Sequence, residues 1–380
     1  MEKLIRVAFL STYPPRECGI ATFTQDLFRE LQKNCGLQTG IIAVNDQDYV
    51  YGKDVIQEFP QQDRASYTKL ADWVNRSAIQ VIVIEHEYGI YGGECGEYLL
   101  DFAERVQKPF VLTLHTVLPN PSEKQKQILQ ELCKKSSRIV TMASNSQKIL
   151  CNIYGADPDK ITVIPHGVPV FEVPSREELK KQQNLEGRTI VSTFGLISSG
   201  KGLEYGIRAI ADVAKKHPDI LYLILGQTHP VVKKREGEAY RESLEKLVND
   251  LGLQQNVRFV NRYLEKEELV RYLKMSDIYM TPYLGKEQAV SGTLAYAAGY
   301  GRVIVSTPYL YAEEMLSDGR GMLADFRDAE SLGRCINYLI DHPNEKAEME
   351  QKTLELGRTM SWKHVADRYT EIFKEVARRS

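Results

Sequence analysis

The stretch TIVSTFGLISSGKGLEYGIRAIADVAK, residues 189–215, joins two patterns at one point. Thr189-Phe194 is a short run of β-forming residues that suits a buried strand. From Leu203 onward apolar residues recur at helical spacing, which predicts a helix over Leu203-Lys215. Between them lie Gly195, Gly200, Lys201 and Gly202. Three glycines and a lysine where a strand hands over to a helix make a phosphate cradle, because free N–H groups, the helix dipole and an ammonium charge converge there. The plain alternative is a tight turn. The spacing is not the G-x-x-x-x-G-K-[ST] of a nucleotide-hydrolysing P-loop, so that reading fails.

Outward from this junction the same alternation repeats in both directions. Upstream, strands are expected at Arg6-Leu10, Thr39-Val44, Val81-Glu85, Phe110-Leu114, Arg138-Thr141 and Ile161-Ile164, with helices such as Ala21-Leu31 and Glu123-Lys134 between them. Downstream they are expected at Ile220-Leu225, Val257-Val260, Ile278-Thr281 and Val303-Ser306, with a helix over Tyr240-Leu251. Strands alternating with helices predict parallel sheets covered on both faces, so the class is α/β with two Rossmann-like, doubly wound domains in tandem. The run from Pro165 to Pro174, followed by the charged Ser175-Arg188, breaks the pattern and marks a boundary. The expected domains are residues 1–170, 171–360 and a closing helix at 361–380, which Ser361 can cap. Ligands of such sheets bind beyond the carboxyl ends of the strands, so two facing domains imply an interdomain cleft lined by loops of both.

Composition removes several function classes. The chain has 380 residues, 43% hydrophobic and 26% charged, the balance of a folded protein rather than a disordered one. Its 49 Lys and Arg against 51 Asp and Glu leave a formal charge of -2, so no bulk field draws it to nucleic acid or anionic lipid. No apolar run approaches the roughly 20 residues that span a bilayer, and the apolar start is too short for a signal peptide. A cytoplasmic address is expected. Six cysteines at positions 18, 35, 95, 133, 151 and 335 show no metal-binding spacing and read as free thiols.

The other strand ends carry the remaining candidates. After the first strand, Gly19 sits where a helix begins, either admitting an anion to free N–H groups or simply closing a turn. The third long strand runs into Glu85-His86-Glu87-Tyr88-Gly89, where His86, Glu87 and Tyr88 are candidates for contacting an acceptor. No third ligand at helical or hairpin spacing supports a metal there. The next strand ends in Thr113-Leu114-His115, placing a histidine either as a structural residue or at the site. In the second half a loop with Glu287 leads into Ser291-Gly292-Thr293 and an alanine-rich helix, whose start suits a second anion contact.

With these residues assembled, the chain resembles the retaining glycosyltransferases of family 4, also called group 1, over nearly all its length. The pieces that match are the Gly19 loop, His115, Ile164-Pro165-His166-Gly167-Val168, Phe194-Gly195 with Lys201-Gly202, the Glu287 loop, and Trp362 before the last helix. The resemblance implies the GT-B fold, a donor-binding second domain, an acceptor-binding first domain and a last helix that crosses back. It implies that Lys201 holds the donor diphosphate, His115 contacts the donor sugar, and Glu287 binds sugar hydroxyls, with Gly19, Gly195, Gly202, Ser291, Gly292 and Thr293 lining the donor. No metal or other cofactor is implied, and Asp157-Pro158-Asp159 lies in a turn rather than in a cleft loop. Two positions depart from the family: Ala295 stands where a second glutamate contacts the ribose, and Leu196 where an arginine shares the diphosphate. Arg16 and Arg262 are candidates to replace that charge. The expected activity is hexosyl transfer from a nucleotide-sugar donor to a carbohydrate or other hydroxyl acceptor. The alternatives are a retaining phosphorylase using a hexose 1-phosphate, which has no ribose to hold, and a non-catalytic protein that binds sugar phosphates or sugar nucleotides. Donor sugar, acceptor, linkage and oligomeric state are not legible.

Overall fold

The computed structural model describes residues 4–378. These residues divide into two compact units: one runs to Gly167 and resumes at Met360, and the other spans Val168–Thr359. Each is built on a parallel sheet. In the first unit β1 (Ile5–Ser11), β2 (Leu37–Asn45), β3 (Val55–Pro60), β4 (Val81–His86), β5 (Phe110–Leu114), β6 (Arg138–Thr141) and β7 (Ile161–Val163) lie in the order β3-β2-β1-β4-β5-β6-β7. In the second, β8 (Thr189–Phe194), β9 (Ile220–Leu225), β10 (Val257–Val260), β11 (Ile278–Thr281), β12 (Val303–Ser306) and β13 (Gly321–Leu323) lie in the order β10-β9-β8-β11-β12-β13. The fold class is α/β, as the alternating pattern implies.

The strand order fixes where each unit can bind something. In the first sheet the chain winds one way from β1 and the other way from β4, and β1 and β4 are neighbours. In the second sheet β8 and β11 play the same parts. At such a reversal the connecting helices leave on opposite faces and open a crevice beyond the strand ends. The loops at the crevices are therefore those after Ser11 and His86 in one unit, and after Phe194 and Thr281 in the other. All four were singled out by the sequence.

Burial explains why these strands form. All six residues of β4 and all six of β9 are buried, as expected of strands covered on both faces, and the apolar run of β4 ends in the buried Glu85 and His86. Two edge strands escape sequence reading. β3 alternates exposed and half-buried residues and carries Gln57 and Glu58, and β13 is three residues long. The charged segment after the boundary is ordered, with the Arg176–Gln182 helix opened by a capping box between Ser175 and Glu178. Arg176 and Lys180 both pair with Asp277, which ties this helix to the second unit.

The last helix, Trp362–Arg378, packs on the first unit and is capped by Ser361, whose Oγ accepts from the N–H of His364 at 3.2 Å. Phe373 meets Phe9 edge-on at 6.3 Å, and the hydroxyls of Tyr369 and Thr113 are 3.0 Å apart. Phe373, Tyr369 and Val365 are each at most 1% exposed, so deleting any one removes about 1.5–3 kcal/mol of burial. This helix is part of that unit's core.

Candidate active site

In the second unit the crevice is made of backbone and hydroxyls. β8 ends at Phe194, and Gly195 follows at φ 134°, a conformation that side chains rarely adopt. Lys201 closes a single turn over Ser199–Lys201, and Gly202, at φ 58°, starts the Leu203–Lys216 helix. A Cβ at Gly202 would stand 2.2 Å from the carbonyl oxygen of Pro282, and the N–H of Leu284 donates to the carbonyl of Gly200 at 3.0 Å. The lysine loop and the loop after β11 are thus laced together.

That lacing sets Lys201 over the ring of Tyr283, with Nζ 3.9 Å from its centroid. The hydroxyls of Tyr283 and Thr293 are 2.7 Å apart, and those of Ser291 and Thr293 are 3.1 Å apart. Ser291 also caps the Gly292–Gly299 helix, accepting from the N–H of Leu294. A Cβ placed on Gly195 would lie 3.3 Å from Thr293 Cγ2 and 4.0 Å from Lys201 Nζ. Gly195, Lys201 and Thr293 therefore meet at one point, where an ammonium and a helix N-terminus face the gap that the missing side chain leaves. Glu287 is exposed on the same β11 loop, whose backbone is fixed by bonds from Leu310 and Tyr311 to the carbonyls of Lys286 and Gln288.

The first unit assembles its site from packed rings. The N–H of His115 donates to the carbonyl of His86 at 3.1 Å, which carries the β4–β5 ladder one step past β5. His115 Nε2 lies 2.7 Å from Glu85 Oε2, and the Glu85 side chain is wholly buried. Phe23, on the Gly19–Leu31 helix, meets His115 at 4.7 Å, His166 at 5.3 Å and Trp362 at 5.0 Å, each edge-on. Trp362 lies flat against Gly167, where a Cβ would stand 2.2 Å from the indole. Burial pushes the His166 imidazolium down to about 4 and that of His86 to about 3, so both rings are neutral at ordinary pH. Burial pushes the Glu85 carboxyl the other way, against the pull of His115.

The expected residues fall into two groups and several outliers. Gly19 begins its helix with nothing within 4 Å of where a Cβ would lie, so that helix start is open, and Cys18 Sγ caps it by accepting from Ala21. His86 and Tyr88, expected at the acceptor, are only 1% and 7% exposed, so their side chains are packed into the wall of the crevice. Glu87 is half-buried and accepts from the hydroxyl of Thr116. Ala295 is fully buried in the Gly292–Gly299 helix, so packing fills the position of the missing carboxylate. Arg262 is committed to Glu268, and Arg16 donates to the carbonyl of Val44 at 3.2 Å. Sequence reading missed Tyr283 and Glu85 as parts of the site. Tyr283 was signalled by its place just past the end of β11. Glu85 carried no signal, because a strand buried on both faces does not say which side chains turn toward the crevice.

Among the described residues no group of three or more His, Cys, Asp or Glu is placed to hold a metal ion. Among them, too, no helix is long and apolar enough to cross a membrane.

Comparison with known proteins decides the family. Residues 18–170 match the family model for Glycosyltransferase Family 4, and residues 175–355 match that for Glycosyl transferases group 1. The chain is a family 4 glycosyltransferase. It belongs to a retaining, nucleotide-sugar-dependent family and has the GT-B fold. A D-inositol 3-phosphate glycosyltransferase of Rhodococcus erythropolis is 25% identical over 319 residues, 77% of this chain and 70% of the relative. Among solved structures, sucrose-phosphate synthase of Thermosynechococcus elongatus superposes with a TM-score of 0.77 at 16% identity, over 99% of this chain and 100% of that one. Anabaena HepE in complex with UDP-glucose superposes with a TM-score of 0.74 at 15% identity, over 98% of this chain and 100% of that one. These likenesses place the two crevices of this glycosyltransferase on a known scaffold.

Proposed function

We propose that the enzyme moves a hexosyl group from a uridine diphosphate sugar to a hydroxyl of a carbohydrate or polyol acceptor, in the cytoplasm. The observation that carries the reading is the convergence of Gly195, Lys201 and Thr293 on one gap, where an ammonium and a helix N-terminus suit an anion. UDP-glucose is the ligand of the Anabaena protein with the same fold, which makes the uridine nucleotide the first donor to try. All six cysteines are free thiols, in keeping with a reducing compartment.

In this reading Lys201 and the N–H groups at the start of the Gly292–Gly299 helix receive the donor diphosphate, while the N–H of Gly195 is spent on the carbonyl of Leu225. The bond from the anomeric carbon to phosphate breaks on the face from which the acceptor oxygen arrives, through an oxocarbenium-like state. The departing phosphate takes the acceptor proton. Charge grows on that phosphate as the bond opens, and Lys201 opposes it without having to move. His115 contacts the donor sugar, and Glu287 binds sugar hydroxyls from its exposed loop. With Ala295 buried and Leu196 uncharged, the diphosphate supplies most of the nucleotide affinity and the ribose little.

A screen of nucleotide sugars and hexose 1-phosphates, read by release of nucleotide or phosphate, tests the whole proposal. Release of UDP from one UDP-hexose, with the anomeric configuration kept in the product, is expected. Phosphate exchange with a hexose 1-phosphate and no turnover of any nucleotide sugar would replace it with a phosphorylase.

A further inference from the structure

Among the described residues Glu85 is the one Asp or Glu that is buried. It sits at the penultimate position of β4, opposite Thr113 of β5, with a side chain that has no exposed surface. Burying a carboxylate is costly unless its oxygens are bonded. Here one is and one is not: Oε2 is 2.7 Å from His115 Nε2, and Oε1 has no hydrogen-bond partner. The neighbouring hydroxyls are spent elsewhere. Tyr91 donates to the backbone carbonyls of Leu10 and Glu85, and Tyr369 bonds Thr113. A group needed only to fill space would be better served by leucine or methionine.

The geometry around His115 supplies a purpose. Its ring is held edge-on by Phe23 and its backbone N–H by the carbonyl of His86, so its plane is set by packing and its position by the sheet. What packing cannot set is which ring nitrogen carries the proton. A carboxylate at hydrogen-bond distance does, because it only accepts and so holds the proton on Nε2. Nδ1 is then the nitrogen left for a ligand, and in the neutral ring it is an acceptor suited to a sugar hydroxyl.

We propose that Glu85 is a positioning residue for His115, holding the Nε2–H tautomer and presenting Nδ1 to the donor sugar. The proposal rests on the contact between His115 and the donor sugar proposed above.

Two measurements test it. In the wild-type protein, NMR of isotope-labelled histidine should find His115 protonated on Nε2. A neutral His115 ring protonated on Nδ1 alone would overturn the proposal whether or not any variant folds. In Glu85→Gln the hydrogen bond becomes neutral and weaker, and we expect kcat to fall by about tenfold or more, in the range seen when a partner that orients a working histidine is altered. Kd for free UDP should stay within about twofold, since UDP carries no sugar for the His115 ring to meet. The double variant Glu85→Gln with His115→Ala should be no slower than His115→Ala, because Glu85 works only through that ring. Full activity in Glu85→Gln, or losses that multiply in the double variant, would refute it. Failure of the underlying reading looks different: His115→Ala would then keep wild-type turnover while the NMR result still found the Nε2–H tautomer.

Discussion

The two crevices of this glycosyltransferase occupy equivalent places in their sheets and are made of different material. In the second unit the site is glycine backbone, three hydroxyls and one lysine on a tyrosine ring, held by bonds between loops. In the first it is a row of titratable groups, Glu85, His86, His115 and His166, held by aromatic packing around Phe23. On the reading proposed above the second site meets a phosphate of fixed charge, for which an ammonium, hydroxyls and a helix N-terminus suffice. A site that meets sugar hydroxyls needs groups that both give and accept hydrogen bonds, and imidazole does both. The first unit therefore pays in pH sensitivity for what the second obtains from geometry.

The largest effect should follow from removing the ammonium that Lys201 places at the gap of the second site. Lys201→Ala is expected to lose at least about a hundredfold in kcat, the scale of deleting one stabilising group at a developing anion. Its melting temperature should fall by only a few degrees, since what the fold loses is the contact of Lys201 with the face of the Tyr283 ring, worth about 0.5–2 kcal/mol. Turnover within a few-fold of wild type would mean that the phosphate is held by backbone alone.

The next comparison sets one helix-opening glycine against the other. Gly202 sits at φ 58° with a neighbouring carbonyl oxygen 2.2 Å from the position of a Cβ, so alanine there meets both backbone strain and a clash with main chain. Strain of this kind alone costs about 1–3 kcal/mol. Gly19 has open space in front of it, and Gly19→Ala should change stability by no more than about 0.5 kcal/mol. Chemical denaturation of the two variants checks this directly, and equal losses would show that the two helix starts are not built differently after all.

That glycine pair also marks what could be read from sequence. The strand-to-helix junctions, the reversal of winding and the lysine loop were legible because glycine and lysine between two periodic runs leave few alternatives. The edge strand β3 was not, since its exposure alternates while its residue types, with Val55 beside Ile56 and Gln57 beside Glu58, do not. Nor was the Glu85 contact, which depends on two strands being adjacent and on which way a doubly buried side chain turns. The sealing of His86 and Tyr88 was equally hidden, because a polar residue after a strand reads as a loop until its surroundings are known.

Acid should separate the two sites further. His166 and His86 titrate near 6.5 when unfolded and are held to about 4 and about 3 in the fold, so in between the unfolded chain binds more protons. Stability is full above about 6.5 and falls as pH drops toward those values, by about 1.4 kcal/mol per pH unit for each histidine. Glu85 opposes this, because its raised carboxyl binds a proton more readily in the fold than in the unfolded chain. The carboxylates held below their usual range, such as Glu238 at about 2, lose their contribution only further down. Denaturation midpoints should therefore decline between pH 6.5 and pH 5, and His166→Gln should make the slope shallower. A flat profile would mean that the rings of the first unit are hydrated in solution.

The effect of Tyr283 on turnover should be smaller than that of Lys201, and it can be split in two. Its ring carries Lys201, and its hydroxyl reaches Thr293 at the start of the Gly292–Gly299 helix, so one side chain bridges the two sides of the gap at Gly195. Tyr283→Phe keeps the ring and removes a single neutral hydrogen bond, worth about 0.5–1.5 kcal/mol net. Lys201 stays in place, and turnover should fall by a few-fold at most. Tyr283→Leu removes the ring face as well, a further 0.5–2 kcal/mol or about twofold to thirtyfold. If the two losses are equal, the hydroxyl does the positioning and the ring is only filler beneath the ammonium. If phenylalanine is silent and leucine is not, the lysine is held by the face of the ring, and the second site owes that ammonium to an aromatic residue, as the first owes its histidines to Phe23.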